Sequence, residues 1–183
     1  MGALSPAAWA QSAANQGPLK LIVPFTPGTG IDLIARTLGP KLSQRLNRPV
    51  VVENRVGASG NIGTEAVVRS APDGSTLLVS VNTLVMNRAL YPGLSFDAVK
   101  DLAAVSQTSW GQLLLVTPAQ SGYKTAGEFV AALRKQPGRL NYASPGVGTP
   151  HHLSMELFKN TAQVFLTHIP YRGTGPAVTD LLG

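Results

Sequence analysis

The feature that most constrains this sequence is a repeated order of short apolar run, glycine-bearing loop and segment with helical spacing. Residues 19–23 form a short run of mostly branched apolar residues, and residues 31–46 then place apolar side chains at helical spacing. Pro49 opens a second apolar run over residues 50–53. This alternation predicts βα units, in which each strand is followed by a helix that packs back onto the sheet.

The same order continues toward the middle of the chain. A helix is predicted over residues 61–70, the sequence Ala-Pro-Asp-Gly at residues 71–74 is typical of a turn, and residues 76–80 form a third apolar run. Three near-continuous apolar strands joined by helices predict a parallel sheet that is covered on both faces. The predicted fold class is therefore α/β.

A second unit follows with less regular spacing. After a short predicted helix over residues 83–90, the remaining predicted elements are strands over 103–106, 113–117, 140–143 and 164–169, and helices over 126–136, 150–160 and from about residue 175. We expect a first α/β lobe over residues 19–108 and a second, partial lobe over residues 109–183. The second lobe is expected to be truncated, because no further strand follows to cover the last helix.

Composition limits the classes of function. The chain has 183 residues, of which 44% are hydrophobic, so a packed core is possible. A net charge of +6 favours anionic partners, but scattered basic residues and an aromatic content of 6% argue against nucleic acid. The absence of cysteine excludes disulfides and thiolate metal ligands. Small anions fit this balance best.

The first residues differ in composition from the rest. Residues 3–16 are rich in small residues, and Ala-Trp-Ala at residues 8–10 resembles the end of a secretory signal sequence, although the charged and apolar parts of such a signal are missing. Residues 1–18 are therefore predicted to be a signal-peptide remnant or a disordered leader outside the fold. No stretch of the sequence reaches the roughly 20 apolar residues that a membrane-spanning helix needs.

Three glycine-bearing loops each lie between a predicted strand and the helix that follows it, which is where α/β proteins bind ligands. They cover residues 24–32, 54–64 and 144–152. Glycines there allow positive φ angles and close approach of a ligand to the backbone, and N–H groups at a helix start attract anions. Together the loops predict an anion site that needs no fixed cationic side chain.

Several polar residues of these loops also have structural interpretations. Thr29 and Asp32 have the spacing of a capping box, with direct ligand contact as the alternative for Asp32. Asn61 can act as a helix N-cap or as a ligand contact, and the two roles are compatible. Thr149 followed by Pro150 is typical of a helix start, at which the preceding Gly-Val-Gly backbone is expected to present its N–H groups.

The sequence contains no recognisable set of catalytic residues. Leu33 stands where a dinucleotide-binding fingerprint needs its third glycine. His151 and His152 are adjacent and so diverge on a helix, which argues against a metal site. Glu128 is expected to form a capping box with Thr125. The pattern favours a binding protein without catalytic residues, metal or cofactor, and a nucleotide-binding or enzymatic α/β domain is the alternative.

Four motifs occur in a fixed order along residues 19–183. They are Val-Pro-Phe-Thr-Pro-Gly-Thr-Gly-Ile-Asp at residues 23–32, Val-Glu-Asn-Arg and the following glycines at residues 52–63, Tyr-Ala-Ser-Pro-Gly-Val-Gly-Thr-Pro-His-His-Leu at residues 142–153, and Pro-Tyr-Arg-Gly-Thr-Gly-Pro-Ala at residues 170–177. Together they resemble the periplasmic solute receptors of tripartite tricarboxylate transporters, the Bug family. Within this resemblance Thr29 and Ser59 stand where the family has glycine, and Arg172 where it has lysine.

The resemblance implies a periplasmic-binding-protein-like (type II) clamshell with two doubly wound βα lobes, the second one incomplete in this chain. It implies a periplasmic receptor that binds a small carboxylate, either a di- or tricarboxylate, an amino acid or an aromatic acid, and passes it to membrane transporter subunits. The ligand contacts that it implies are Phe25, Pro27, Gly28, Thr29, Gly30, Ser59, Gly60 and Asn61 from the first lobe, and Ser144, Gly146, Val147, Gly148, Thr149 and His152 from the second. A dimer is expected if the partial second lobe exposes apolar surface.

Overall fold

A computed structural model describes residues 17–183. Of the leader predicted over residues 1–18, residues 1–16 lie outside the described residues. Strands and helices alternate along the described part of the chain and form two separate parallel sheets. Within residues 17–183, every helix is too short or too polar to span a membrane.

The first sheet contains three parallel strands in the order β2-β1-β3. They are β1 (Leu19–Val23), β2 (Val50–Asn54) and β3 (Thr76–Leu78). β1 pairs with both neighbours, so that Leu21 lies opposite Val52 on one side and Leu77 on the other. The central position of β1 explains its apolar composition, because Leu21, Ile22 and Val23 are all at most 2% exposed.

Three helices accompany this sheet, namely α1 (Gly30–Leu46), α2 (Asn61–Val68) and α3 (Thr83–Leu90). Ile31 and Ala35 on one side of α1 join the core formed by β1. The helix ends at Asn47, which has a left-handed backbone with a φ of 49°. The expected covering of both sheet faces does not extend to the edge strand, since Val51 on β2 is 47% exposed.

The second sheet contains two parallel strands, β4 (Asn141–Ser144) and β5 (Thr167–Pro170). The helices α4 (Ala126–Lys135), α5 (Pro150–Ala162) and α6 (Thr174–Leu182) precede, connect and follow them. A second hydrophobic core forms from Phe129, Leu133, Tyr142 and Leu166. Each sheet therefore has its own core, as two βα units require.

The predicted order of elements is confirmed except in one segment. The bounds of β1 and α3 agree with the prediction, and the other elements differ by a few residues at their ends. The strands predicted over residues 103–106 and 113–117 are wrong, because residues 102–118 form no regular secondary structure. Val105 and Leu114 are 80% and 82% exposed. These apolar runs have no partner strand within residues 17–183, and an unpaired strand leaves its backbone groups without hydrogen bonds.

Candidate functional site

The first glycine loop follows β1 and ends where α1 begins. Gly28 has a φ of +82°, a conformation that favours glycine. Thr29 has the extended backbone of an N-cap residue, but its hydroxyl donates to the Thr26 carbonyl at 3.0 Å and caps no helix amide. The expected Thr29–Asp32 capping box is therefore wrong, because the Thr29 hydroxyl accepts no hydrogen bond from a helix amide and the Asp32 carboxylate accepts from the Gly28 amide and not from that of Thr29. Within residues 17–183 the amides of Thr29 and Gly30 have no acceptor.

Asp32 holds the first two loops together. Its carboxylate accepts hydrogen bonds from the Gly28 amide at 2.9 Å, from Arg36 Nε at 3.0 Å and from Asn54 Nδ2 at 2.8 Å. The hydrogen bond from Arg36, aided by those from Gly28 and Asn54, lowers the pKa of Asp32 from 3.8 to about 2, although burial opposes this shift. Asp32 is 3% exposed. Its acceptor sites are used within the protein, which favours the structural interpretation over direct ligand contact.

The second glycine loop follows β2 and has an uncommon backbone conformation. Ala58 and Ser59 have φ angles of 46° and 54°, in the left-handed region. Gly60 is the N-cap of α2 and has a φ of 93°, so the N-cap role expected for Asn61 is wrong. Because the chain turns at Gly60, Asn61 already has helical angles, with φ at −65° and ψ at −36°, and its side chain does not cap the helix.

Close packing joins the second loop to the first. Gly63 has no room for a side chain, since an added Cβ atom would lie 2.8 Å from Pro24 Cβ and 2.9 Å from the Arg55 carbonyl oxygen. Asn54 adds a polar link, because its Nδ2 donates to the Phe25 carbonyl at 3.0 Å. The first two loops are thus fixed relative to each other at the carboxyl ends of β1 and β2.

The third glycine loop leads from β4 into α5. Thr149 caps α5 as predicted, because its hydroxyl accepts a hydrogen bond from the His152 amide at 3.4 Å and Pro150 begins the helix. The His152 ring returns to the loop, where its Nδ1 accepts a hydrogen bond from the Gly148 amide at 3.1 Å. His152 therefore supports the shape of the loop from the first turn of the helix.

Side chains engage two of the amides that the Gly-Val-Gly segment was expected to present. The Gly148 amide donates to His152, and the Gly146 amide donates to Ser144 Oγ at 3.2 Å. The expectation that the whole segment presents free N–H groups is therefore wrong. The amide of Val147, between the two, has no acceptor within residues 17–183.

Three rings stack beside the third loop. The ring centroids of His152 and His168 lie 4.2 Å apart, and those of His168 and Tyr142 lie 4.8 Å apart. Ser144 Oγ lies 2.7 Å from His168 Nε2. Burial is the main cause that lowers the pKa of His168 below its ordinary value of 6.5. His168 is therefore uncharged at neutral pH where it stacks beside the loop.

Glu156 on α5 links Tyr142, the strand residue at the end of this stack, to the helix. The Tyr142 hydroxyl donates to Glu156 Oε1 at 2.5 Å, and Lys159 Nζ donates to the same oxygen at 2.8 Å. The hydrogen bond from Lys159, with that from Tyr142, lowers the pKa of Glu156. Burial raises the pKa of Tyr142, and the hydrogen bond to Glu156 adds to the effect. Tyr142 therefore stays a hydrogen-bond donor.

The loops of the two sheets lie in direct contact. Ser59 Oγ donates to the Val147 carbonyl and lies 3.1 Å from the Tyr91 hydroxyl. Gly148 packs against the end of α3, where an added Cβ atom would lie 2.5 Å from Leu90 Cδ1. The expected ligand contacts all lie on these three loops, so the fold brings together residues that are distant in sequence.

Sequence reasoning missed the residues that fix the second loop. Asn87 is 1% exposed, and its Nδ2 donates to the Ser59 carbonyl at 2.9 Å and to Asn61 Oδ1 at 2.8 Å. Tyr91, just after α3, approaches Ser59 from the same side. Neither residue lies in a glycine loop, so the sequence around them carried no signal. Asn54 lies in the Val-Glu-Asn-Arg motif, but its hydrogen bonds to the first loop depend on how β2 aligns with β1, which the motif alone does not predict.

Parallel βα units whose glycine loops lie at the carboxyl ends of their strands define an α/β fold of the class that binds ligands at this edge of the sheet. Residues 34–183 match the sequence model of the family described as "Tripartite tricarboxylate transporter family receptor". The chain belongs to this family.

Curated relatives show the same relationship. Protein BugT of Bordetella pertussis (strain Tohama I) is 40% identical over 168 residues, which make up 91% of this chain and 52% of that protein. The UPF0065 protein in the tcbD-tcbE intergenic region of Pseudomonas sp. (strain P51) is 39% identical over 165 residues, or 90% of this chain and 49% of that protein. The chain spans about half the length of the curated relatives it matches.

Solved structures confirm the predicted fold class. MatC (Rpa3494) from Rhodopseudomonas palustris, with bound malate, superposes with a TM-score of 0.83 and 31% identity, over 91% of this chain and 57% of that one. R. palustris Rpa4515 with adipate gives a TM-score of 0.77 and 27% identity, over 91% and 56% of the two chains. The family consists of solute-binding receptors and not of enzymes, as predicted, so the nucleotide-binding or enzymatic alternative is not favoured.

Proposed function

We propose that this chain forms the ligand-binding part of an extracytoplasmic receptor. The receptor holds a small carboxylate between the two sheets and delivers it to the membrane subunits of a tripartite tricarboxylate transporter. One observation carries the proposal: Ser59 of the second loop contacts Val147 of the third, so glycine loops of the two sheets meet directly. Membership of the receptor family supports the transport role and a periplasmic location.

The proposed ligand contacts are the residues of the three loops. From the first sheet they are Phe25, Pro27, Gly28, Thr29, Gly30, Ser59, Gly60 and Asn61, and from the second sheet Ser144, Gly146, Val147, Gly148, Thr149 and His152. The amides of Thr29, Gly30 and Val147 supply the donors that have no acceptor within residues 17–183. His152 contributes through the loop that it supports.

The electrostatics of these loops suit an anion. The amino-terminal ends of α1 and α5 carry partial positive charge, and their first N–H groups need acceptors. The nearby carboxylate of Asp32 is paired with Arg36, so it repels an incoming anion less than a lone carboxylate would. The net charge of +6 adds a weak long-range attraction for anions.

The proposed ligand class is a small carboxylate with two polar ends. The neighbours MatC and Rpa4515 were solved with malate and adipate, which are both dicarboxylates. In this chain one carboxylate would meet the amides of the first loop, and the other end would meet the third loop. Residues 19–108 and 109–183 would act as the two lobes, and the irregular residues 102–118 would connect them.

Calorimetric titration with malate, adipate, citrate, glutamate, benzoate and NAD tests the proposal. We expect saturable binding of at least one carboxylate and none of NAD. Gly28→Val should abolish that binding, because valine is strained at a φ of +82° and its side chain would occupy the open space beside the loop through which a ligand approaches the backbone. Gly122→Val is the matched control, since Gly122 has a φ of +79° and equally open surroundings away from the three loops. Binding of NAD alone, or equal losses in both variants, would overturn the proposal.

Self-association of the 183-residue chain is a further part of the proposal. Within residues 102–118, Val105, Trp110 and Leu114 are 80%, 90% and 82% exposed, so this segment offers large apolar side chains to a second copy of the chain. We expect light scattering to give a dimer for the isolated chain. A monomer with a cooperative thermal transition would contradict this expectation.

A further inference from the structure

Ser59 occupies the tip of the second loop in a conformation that few residues adopt. Its φ and ψ angles are 54° and 34°, and Ala58 before it also has a positive φ. A residue other than glycine in this region carries a conformational cost, which persists where surrounding contacts compensate. Hydrogen bonds from both units of the chain surround Ser59 and supply this compensation.

Two residues of the first sheet's unit hold the Ser59 backbone and side chain in place. The Ser59 carbonyl accepts a hydrogen bond from Asn87 Nδ2 at 2.9 Å, and Asn87 is 1% exposed. The hydroxyl of Ser59 lies 3.1 Å from that of Tyr91. Because Asn87 and Tyr91 fix the position of Ser59, its hydroxyl is directed before any partner from the other sheet arrives.

The second partner of the Ser59 hydroxyl belongs to the other sheet. Ser59 Oγ donates to the Val147 carbonyl, and within residues 17–183 this is the only hydrogen bond that joins residues 19–100 to residues 119–183. Packing accompanies it, because Gly148 lies against the end of α3. A single side-chain hydroxyl therefore makes the polar link between the two halves of the proposed cleft.

We infer that Ser59 holds the second and third loops together in the absence of ligand and thereby sets the ligand affinity of the cleft. The effect of Ser59 on ligand affinity rests on the proposed function, whereas its effect on loop closure without ligand does not. A ligand that binds the closed arrangement binds more tightly when that arrangement is already populated. One neutral hydrogen bond changes such a population by roughly 2- to 10-fold.

The absence of cysteine permits a direct measurement of loop closure. Leu33 on α1 and Leu157 on α5 are 67% and 66% exposed, so cysteines at both positions accept nitroxide labels without other labelled sites. Electron–electron distance measurements on the ligand-free chain should give one narrow distribution. Adding Ser59→Ala, which removes only the hydroxyl, should broaden that distribution and add a second population.

Three further variants serve as controls for this measurement. Ser70→Ala removes a serine hydroxyl that donates to the Val67 carbonyl within the unit of the first sheet, and it should leave the distribution unchanged. Tyr91→Phe removes one of the two supports of Ser59 but leaves the hydrogen bonds to Asn87 and Val147, so it should preserve most of the closed population. Ser59→Gly suits the left-handed backbone and removes the same hydroxyl, so it repeats the test if Ser59→Ala folds poorly.

Ligand affinity provides the second readout. For the carboxylate of the panel that binds, Ser59→Ala and Ser59→Gly should each weaken binding by roughly 2- to 10-fold, with Ser70→Ala unchanged. An unchanged ligand-free distance distribution in both Ser59 variants would overturn the role of Ser59 and leave the proposed function standing. Absence of carboxylate binding by the unaltered chain would overturn the proposed function and leave the distance result valid.

Discussion

The Asp32 carboxylate accepts a hydrogen bond from the Gly28 amide at 2.9 Å, across the first turn of α1. The same link recurs at α4, where Glu128 accepts from the Lys124 amide at 2.8 Å, and at α5, where the His152 ring accepts from the corresponding amide at 3.1 Å. In each case the third residue after a threonine N-cap satisfies an amide that precedes the helix. One sequence spacing therefore fixes the backbone at three helix starts, two of which border the proposed site.

Asp32→Ala should lower the free energy of unfolding by about 2 to 4 kcal/mol, because it removes a buried carboxylate that accepts hydrogen bonds from the Gly28 amide and from the side chains of Arg36 and Asn54. Urea unfolding followed by circular dichroism measures the change. Asp73→Ala is the control, since Asp73 is exposed and accepts from the Ser75 amide within its own turn. A loss of carboxylate affinity in Asp32→Ala with an unchanged unfolding midpoint would contradict the structural role.

The lowered pKa of Asp32 predicts a loss of stability in acid. The ordinary pKa is 3.8 and the folded-state pKa is about 2, so the unfolded chain binds the proton first as the pH falls. The contribution of about 2 kcal/mol is complete above about pH 4 and is lost between about pH 4 and pH 2. Urea unfolding over that range should show a steeper decline for the unaltered chain than for Asp32→Asn. Parallel pH profiles would refute the assignment.

The lowered pKa of His168 predicts a second pH effect nearer neutrality. Burial is the main cause, the charges of His152 and Lys159 add to it, and the charge of Glu156 opposes it. The contribution of His168 to stability is therefore present above its ordinary pKa of 6.5 and is lost as the pH falls from there through the lowered value. The melting temperature should decline more over this range for the unaltered chain than for His168→Gln. A histidine NMR titration that gives His168 a pKa at or above 6.5 would rule this out.

Gly63→Ala should destabilise the protein by about 1 to 3 kcal/mol, because the added methyl group meets Pro24 and the Arg55 carbonyl at under 3 Å and both are held by backbone. Thermal unfolding measures the effect. Gly127→Ala is the matched control within α4, where the nearest atom lies 3.9 Å away and alanine should stabilise the helix by about 0.5 to 1 kcal/mol. Equal stabilities of the two variants would show that the first two loops are not packed as described.

Much of the fold follows from local patterns in the sequence. The apolar run at β1 and the helical spacing of α1 identify both elements, because a central strand and an amphipathic helix impose different periodicities. The runs at residues 103–106 and 113–117 have the composition of strands but no partner within residues 17–183. An apolar composition favours a strand, but it does not indicate whether a neighbouring strand is available for pairing.

The parts of the candidate site that could be predicted are those in which a side chain forms a hydrogen bond within its own helical turn. Thr149 caps α5 as its spacing indicates. Thr29 has the same spacing, and its hydroxyl likewise donates to the carbonyl three residues earlier, but it caps no helix amide, a difference that the spacing does not predict. The contact between Ser59 and Val147 depends on how two sheets meet, which no local pattern reports.

Backbone amide NMR of the 19.1-kDa chain tests the central claim most directly. Titration with the carboxylate that binds best in calorimetry should shift the amide signals of Thr29, Gly30 and Val147 together, at one shared dissociation constant. The amides of Gly122 and Gly138, away from the three loops, should stay unchanged. Saturable shifts that leave the loop amides unmoved, or that affect the loops of one sheet only, would contradict a carboxylate site shared by the two sheets.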